Sequence, residues 1–452
     1  MTENITSSES APKEGLPFNR VAPIFALTFV DVLGLTIILP LLHLYAIAFG
    51  ASPLQIGLVA AAFPLSQLIG VPIMGALSDR FGRKPLLLIS QITTCIGFLL
   101  LASATSLEMI VLSRVIDGLF GANLSTAQAA ITDITDDTNR AQGLGLTGAA
   151  FGLGFIFGPV IALIALEVTD SLAVPALTAA VYSFLSILLT LFVFKETLPP
   201  EKRGKSNSRR VSIFVIGKML RVKGIGILLF LLFAEQLIFF GFENLMGVFT
   251  LSRLGLLGQG TSLLFLIVGI ILVTVQVRYI GKWSRKYGEK RLISVALGLL
   301  AIGLLLVATT PEQPHPFYVR ARAQYDIQSQ ALSSTEAVIG DLNVQLPAEG
   351  NNGVGGIIWF VVALIPISVG ASLIRPNTNS LMTKAVSPND YGSVLGVSAS
   401  VASGANALAP ILCGWVFQQY GANAPFLLGG IAMGMLALLS MWHFRINTHI
   451  KV

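Results

Sequence analysis

Charge is scarce in this chain: Asp, Glu, Lys and Arg make up 12% of its 452 residues, while 54% are hydrophobic. Soluble domains carry about 25% charged residues. A water-soluble fold would therefore have far too much apolar surface to hide, and the bilayer is the solvent that the composition implies. The apolar runs are continuous rather than alternating, which argues against a β-barrel. Cysteine is nearly absent as well. Cys95 and Cys413 are the only two, both inside apolar runs, and they read as core thiols. The four histidines, His43, His315, His443 and His449, are widely scattered. With no CxxC, HExxH, GxSxG or metal-spaced cluster, the expectation is no metal, no cofactor and no enzyme. Met1 to Asn19 is polar and lacks the basic-then-apolar order of a cleavable signal.

Long apolar runs are what the chain does have. They lie near 21–48, 54–77, 86–104, 107–131, 142–166 and 172–194, and again near 224–250, 258–280, 291–310, 354–382, 391–418 and 423–444. Runs of about twenty residues span a bilayer as helices. The fold expected is therefore all-α, with twelve transmembrane helices in two six-helix bundles. The first bundle covers 21–194 and the second 224–444, with an external loop at 311–353. Residues 1–20, 195–223 and 445–452 read as a cytosolic tail, linker and tail. Of the 29 Lys and Arg residues, 24 fall in segments this scheme assigns to the cytosol or at the cytosolic ends of the runs. That asymmetry supports a plasma membrane protein with both termini cytosolic. It also accounts for the net charge of +6 without a nucleic-acid partner.

One charged turn stands out between the second and third runs: Gly75-Ala-Leu-Ser-Asp79-Arg80-Phe-Gly82-Arg83-Lys84-Pro85. Its glycines let the chain turn tightly. Asp79 is placed to accept from the free N–H groups at a helix start. A weaker copy runs from Gly281 to Lys290, offset by 206 residues. Gly145 and Pro159 in the fifth run match Gly396 and Pro410 in the eleventh, offset by 251. The hydrophilic stretch 311–353 lies between these landmarks and accounts for nearly all the slippage. A chain of two parallel six-helix repeats has the organisation of a secondary transporter, with its site between the halves.

The residues from Gly75 to Lys84 resemble the loop motif between helices 2 and 3 of the major facilitator superfamily. Gly145, Gly154, Gly158 and Pro159 are similar to the helix-5 antiporter motif, departing from it at Ala162 and Leu163. Arg114, Asp117 and Gly118 resemble the helix-4 motif, and Phe29 to Gly34 the first helix, of the twelve-helix drug:proton antiporters that include tetracycline-efflux-like proteins. The resemblance covers about 20–445 and implies alternating access to a central site. It also implies that the glycines of the fifth helix pack closely at a contact between the halves. Tetracycline exporters carry an acid within helix 3, where this chain has none and Gly97 takes the nearest position.

Ionisable side chains inside a bilayer cost roughly 2.5–3.5 kcal/mol each on insertion scales, so they face a cavity or a partner. Asp31, Arg114, Asp117, Glu235, Glu243 and Arg375 are the six that lie deep within the runs, away from their ends. Asp31 and Glu235 occupy corresponding first helices, and with Glu243 they are candidates for proton coupling. Each also reads as a structural acid that is permanently paired. Arg114 can pair with Asp117 one turn away or tune Asp31. Asp31, Glu235, Phe239, Arg375 and Asn379 are the candidate substrate contacts. Gly75, Asp79, Arg80, Gly82 and Arg83 are expected to hold one conformational state. The segment Val319 to Leu342 can form an external amphipathic helix, read mainly as surface and secondarily as a lid. The function expected is proton-coupled efflux of amphipathic small molecules or drugs by a monomer. A facilitator or symporter for a sugar, organic anion or lipid is the alternative.

Overall fold

The computed structural model describes residues 18–135, 140–168, 171–204, 224–330, 342–386 and 391–446. The described residues form helices joined by turns and loops. The first set is α1 (Phe18–Ile38), α2 (Leu42–Ala48), α3 (Pro53–Phe81), α4 (Arg83–Ala102), α5 (Leu107–Phe120), α6 (Asn123–Ile134), α7 (Arg140–Val168) and α8 (Ala173–Phe192). The second set is α9 (Ile225–Leu254), α10 (Gly258–Thr274), α11 (Ile280–Tyr287), α12 (Glu289–Ala308), α13 (Arg320–Gln330), α14 (Gly355–Lys384), α15 (Tyr391–Tyr420) and α16 (Ala424–Ile446). A π turn, Val275–Tyr279, joins α10 to α11 in one continuous rod. Among the described residues, eleven helical stretches are long and apolar enough to cross a membrane.

Two expected spans are broken, each for a local reason. The run 21–48 divides at Pro40, which has no N–H to bond Thr36 and whose ring crowds that carbonyl. Leu41 turns its N–H to the Ile38 carbonyl instead, at 2.9 Å, and α2 starts afresh. The run 107–131 divides at Gly121–Ala122 into helices of 14 and 12 residues, each too short to span alone. Side chains from neighbouring helices repair the gap. The Ser90 hydroxyl donates to the Phe120 carbonyl and accepts from the Ala122 N–H at 3.0 Å. Gln67 donates to the Gly121 carbonyl at 3.2 Å.

Within the first half α1 packs on α7 and α8, α3 on α5, and α4 on α8; within the second, α12 packs on α14 and α16, and α9 on α15. The repeat is visible in the backbone. Gly82 and Gly288, 206 residues apart, both turn with positive φ, 109° and 77°, between equivalent helices. That conformation is strained for any residue with a Cβ.

The halves meet mainly through α3 on α15 and α7 on α10. These contacts gather at the end away from the Asp79 turn. Gly57 lies against Pro410 and Gly414, Gly269 against Phe155, and Gly247 receives the ring of His43. Leu54 N–H donates to Gln418 Oε1 at 3.1 Å, and Gln259 donates to Glu167 at 3.4 Å. Toward the Asp79 end, Gly145 and Gly148 on α7 have open space where a side chain would stand. The two halves are thus closed at one end and splayed at the other.

Candidate functional site

A cavity of about 440 Å³ lies between the halves. From the first half it is lined by Gln128, Thr147, Phe151 and Phe155, among others. From the second, α9 presents Glu235, Phe239 and Glu243. Their four-residue spacing puts them on one helical face. Arg375 and Pro376 of α14 complete that wall, and Gln276 enters from the π turn. Single π turns widen a helix locally and recur at functional sites.

Glu235 is 3% exposed, and its Oε2 has no hydrogen-bond partner among the described residues. Arg375 is the one cation among the described lining residues, and its field reaches Glu235. The cavity therefore combines two carboxyl groups, one guanidinium and several amides in a mostly aromatic and aliphatic wall. This suits a ligand with an apolar body and a few polar groups.

Asp31 and Asn379, expected as substrate contacts, do not line this cavity. Asn379 accepts from Ser398 at 2.8 Å. Asp31 accepts from Asn123 Nδ2 at 2.7 Å, at the start of α6. Leu237, not Glu235, stands 206 residues after Asp31. Two residues turn a helix by about 200°, so the two acids face different ways. Asp31 belongs to a polar cluster inside the first half. There Arg114 pairs with Asp117 at 3.5 Å and lies over the Phe98 ring at 5.5 Å. Of the two partners open to Arg114, the local one forms the ion pair. Gly97 closes this cluster: a Cβ there would stand 3.4 Å from that of Asp117. An acid side chain at that position would have to displace its neighbours.

The Asp79 turn is a charge cluster within the first half. Arg83 bonds Asp79 at 2.5 Å, Ser78 at 2.6 Å and Asp133, at the end of α6, at 2.9 Å. Asp79 does not take the helix-start position expected for it. The first N–H groups of α4, those of Arg83 and Lys84, donate to Glu196 at 2.9 and 3.1 Å. Glu196 follows α8 and also accepts from the Thr197 and Leu198 N–H groups. It reaches the site because the segment after α8 folds back over the turn, where Gly204 N–H donates to the Asp79 carbonyl at 3.0 Å. Arg80 points away over the Phe81 ring, and Gly75 has no close neighbour.

The helix-5 glycines also differ from expectation. Gly154 and Gly158 receive Val32 and Thr36 of α1, inside their own half, and Gly145 faces open space. Pro159 lies within α7 beside them. The contact of α7 with the other half is made instead by Gly152 against Val273 and Phe155 against Gly269. Gln128, Gln276, Asp133 and Glu196 went unnoticed in the sequence. For the two glutamines the missed signal was an amide set in or beside an apolar run.

The Major Facilitator Superfamily family model matches residues 24–321. Tetracycline resistance protein, class H, of Pasteurella multocida is 26% identical over 440 residues, which cover 94% of this chain and 96% of the relative. Multidrug resistance protein 2 of Bacillus subtilis (strain 168) is 24% identical over 93% of this chain and 94% of its own length. The crystal structure of the human organic anion transporter MFSD10 (TETRAN) shares the fold, with a TM-score of 0.64 and 21% identity, over 94% of this chain and 100% of that one. On the family match and the twofold helical architecture, this chain belongs to the Major Facilitator Superfamily: it is a multi-pass membrane transporter of small molecules, related to the tetracycline and multidrug efflux proteins, and not an enzyme.

Proposed function

We propose that this transporter exports amphipathic small molecules in exchange for protons, as a monomer, by alternating access. The observation that carries the reading is Glu235: a carboxyl group on the cavity wall, almost without water, with one oxygen unbonded among the described residues. Such a group is costly to leave charged and alone. It trades a proton for a cationic or hydrogen-bonding ligand, and Arg375 on the same wall helps to hold the carboxylate between those events. Glu243, two turns along the same wall, is a second carrier toward the closed end. Asp31 would answer the same cycle at a distance, through Asn123 and the Arg114–Asp117 pair.

The Lys and Arg of the basic turns support a cytosolic splayed end, following the bias of these residues toward that side. Substrate then enters from the cytosol and leaves when the far end opens. One proton returning inward supplies about 2.3 kcal/mol per 100 mV of membrane potential. The apolar wall of Phe151, Phe155, Phe239 and Met246 supports an amphipathic cargo. Gly97 lies against Asp117 where tetracycline exporters are expected to carry an acid, so the cargo need not be tetracycline. Arg375 favours a second reading, in which the cargo carries an anionic group; the relative described as an organic anion transporter is consistent with it.

Purified protein in liposomes with an imposed pH gradient distinguishes these readings. Efflux-type exchange moves protons against the flow of a dye or drug. Transport that ignores the gradient and is unaltered by Glu235→Gln would end the proton-coupled reading. Loss of anionic substrates alone on Arg375→Ala would favour the second.

A further inference from the structure

The segment between α12 and α14 is far longer than a connection requires. In the first repeat, the same pair of helices, α4 and α5, is joined by residues 103–106 alone. The described parts of the long segment pack as an element of the fold. Tyr318, Ile327, Val344 and Leu346 are buried, with Ile327 only 1% exposed.

Its foot stands on the second half. His315 N–H donates to the Leu254 carbonyl at 3.0 Å, and Arg253 pairs with Glu312 at 3.2 Å. The Tyr318 ring fills the space left by Gly255, whose φ is 65°. The Tyr318 hydroxyl donates to the Pro347 carbonyl at 3.2 Å, tying the two ends of the segment together. Its far part rests on the first half. Helix α13 packs on α2, and Asn343 Nδ2 donates to the Gly50 carbonyl at 2.6 Å. These contacts cross from one half to the other at the closed end.

We propose that residues 318–330 and 342–347 are a strap that holds the closed end shut and must leave α2 and Gly50 whenever that end opens. The strap biases the transporter toward the state open at the Asp79 end. This inference rests on the alternating-access reading. It adds a device that the first repeat does not contain.

The test uses the full-length protein in liposomes with Cys95 and Cys413 replaced by serine. Glu167→Cys and Gln259→Cys, whose native side chains touch at 3.4 Å, report closure of the far end through the rate of cross-linking. In a second protein, Gly148→Cys on the cavity wall reports access from the Asp79 end through labelling by a polar maleimide. Asn343→Ala removes one hydrogen bond across the halves, and Ile327→Asp disrupts the packing of α13 on α2. The expected result is an about fivefold slower cross-linking with Asn343→Ala, the weight of one net hydrogen bond, together with slower labelling of Gly148→Cys. Ile327→Asp should do the same more strongly.

Slower cross-linking with labelling unchanged or faster would mean general loosening and would overturn the strap. Gly57→Ala, a wedge at the same end but outside the strap, separates the two ideas. If it moves both reporters and Asn343→Ala moves neither, the strap is wrong and alternating access stands. If neither variant moves either reporter, both fail.

Discussion

A single methyl group at Gly57 should tip this transporter open at its closed end. Here α3 and α15 touch backbone to backbone. A Cβ on Gly57 would overlap the Pro410 carbonyl oxygen, and would stand 3.0 Å from the Pro410 carbonyl carbon and 3.5 Å from Gly414 Cα. The reverse holds as well, since a Cβ on Gly414 would stand 2.6 Å from the Pro53 carbonyl oxygen. Carbon atoms prefer separations of about 3.5–4.0 Å, so neither helix has room to yield without moving the half that carries it. Overpacking of this kind costs about 1–3 kcal/mol. The cost falls on the state in which the two helices touch and vanishes when they part. A difference of that size shifts a two-state balance about 5–150-fold. Gly57→Ala should therefore slow cross-linking between Glu167→Cys and Gln259→Cys by a factor in that range. Gly404→Ala is the control, because a methyl there meets nothing within 4 Å. If Gly57→Ala cross-links as fast as the control and melts at the same temperature, the contact is not what holds the end shut.

Three further outcomes follow from particular residues. Glu235→Gln should abolish pH-driven exchange in liposomes without lowering thermal stability, because it removes a charge that lacks a full set of partners; a lower melting temperature would mean that the carboxylate is structural. Glu196→Ala should destabilise the protein by about 1–3 kcal/mol in thermal unfolding, since it deprives four backbone N–H groups of their acceptor; an unchanged melting temperature would show that water replaces it. Burial holds the His315 imidazole below its ordinary value of 6.5, so the packed foot of the strap binds fewer protons than the exposed one. Its contribution is complete above that ordinary value and is lost as pH falls below it toward the packed value. Far-end cross-linking should thus slow as pH falls below about 6.5, and His315→Gln should flatten that dependence. The Tyr318 ring and the Arg253–Glu312 pair flank this site and stay intact in the variant.

The broad architecture was legible because hydropathy and cation placement report directly on the solvent each residue meets. The spans, the repeat and the family could all be read from Gly75 to Lys84 and the runs around it. The breaks at Pro40 and Gly121 were harder. Both lie in apolar stretches, and hydropathy does not register a lost backbone bond. Glu235, Phe239 and Glu243 were legible one by one as candidates, and Arg375 as a stranded charge; the face they share emerges only from the helix they stand on. Asp31 was misplaced because residue type and depth were read without rotation. Glu196 was missed because two of its four partners are backbone groups over a hundred residues earlier, set by how the chain after α8 folds back. The helix-5 glycines were given to the wrong neighbour for a related reason: small residues announce a close approach but not which helix approaches.

The repeat carries one reversal that yields a last prediction. Arg83 and Asp133 are joined at 2.9 Å. Their counterparts, offset by 206 and 251 residues, are Glu289 and Lys384, joined at 2.7 Å with the signs exchanged. Each pair ties the start of one span to the end of the next within its own half. Neither pair crosses between halves, so rocking need break neither. The two ties differ in burial. The Arg83 and Asp133 side chains are 8% and 16% exposed, whereas Lys384 is 51% exposed. Hydrogen bonds to buried charges contribute about 1.5–3 kcal/mol, and exposed ion pairs about 0.2–1 kcal/mol. In thermal unfolding, Asp133→Asn should therefore cost several times more than Lys384→Gln. Exchanging the second pair, Glu289→Lys with Lys384→Glu, should restore most of what either single change loses, because only the tie matters and not its sign. The same exchange at Arg83 and Asp133 should not recover, since Asp79 and Glu196 remain beside it and both favour a cation at position 83. Equal recovery at both pairs would show that the surrounding acids are irrelevant and that the reversal has no structural consequence.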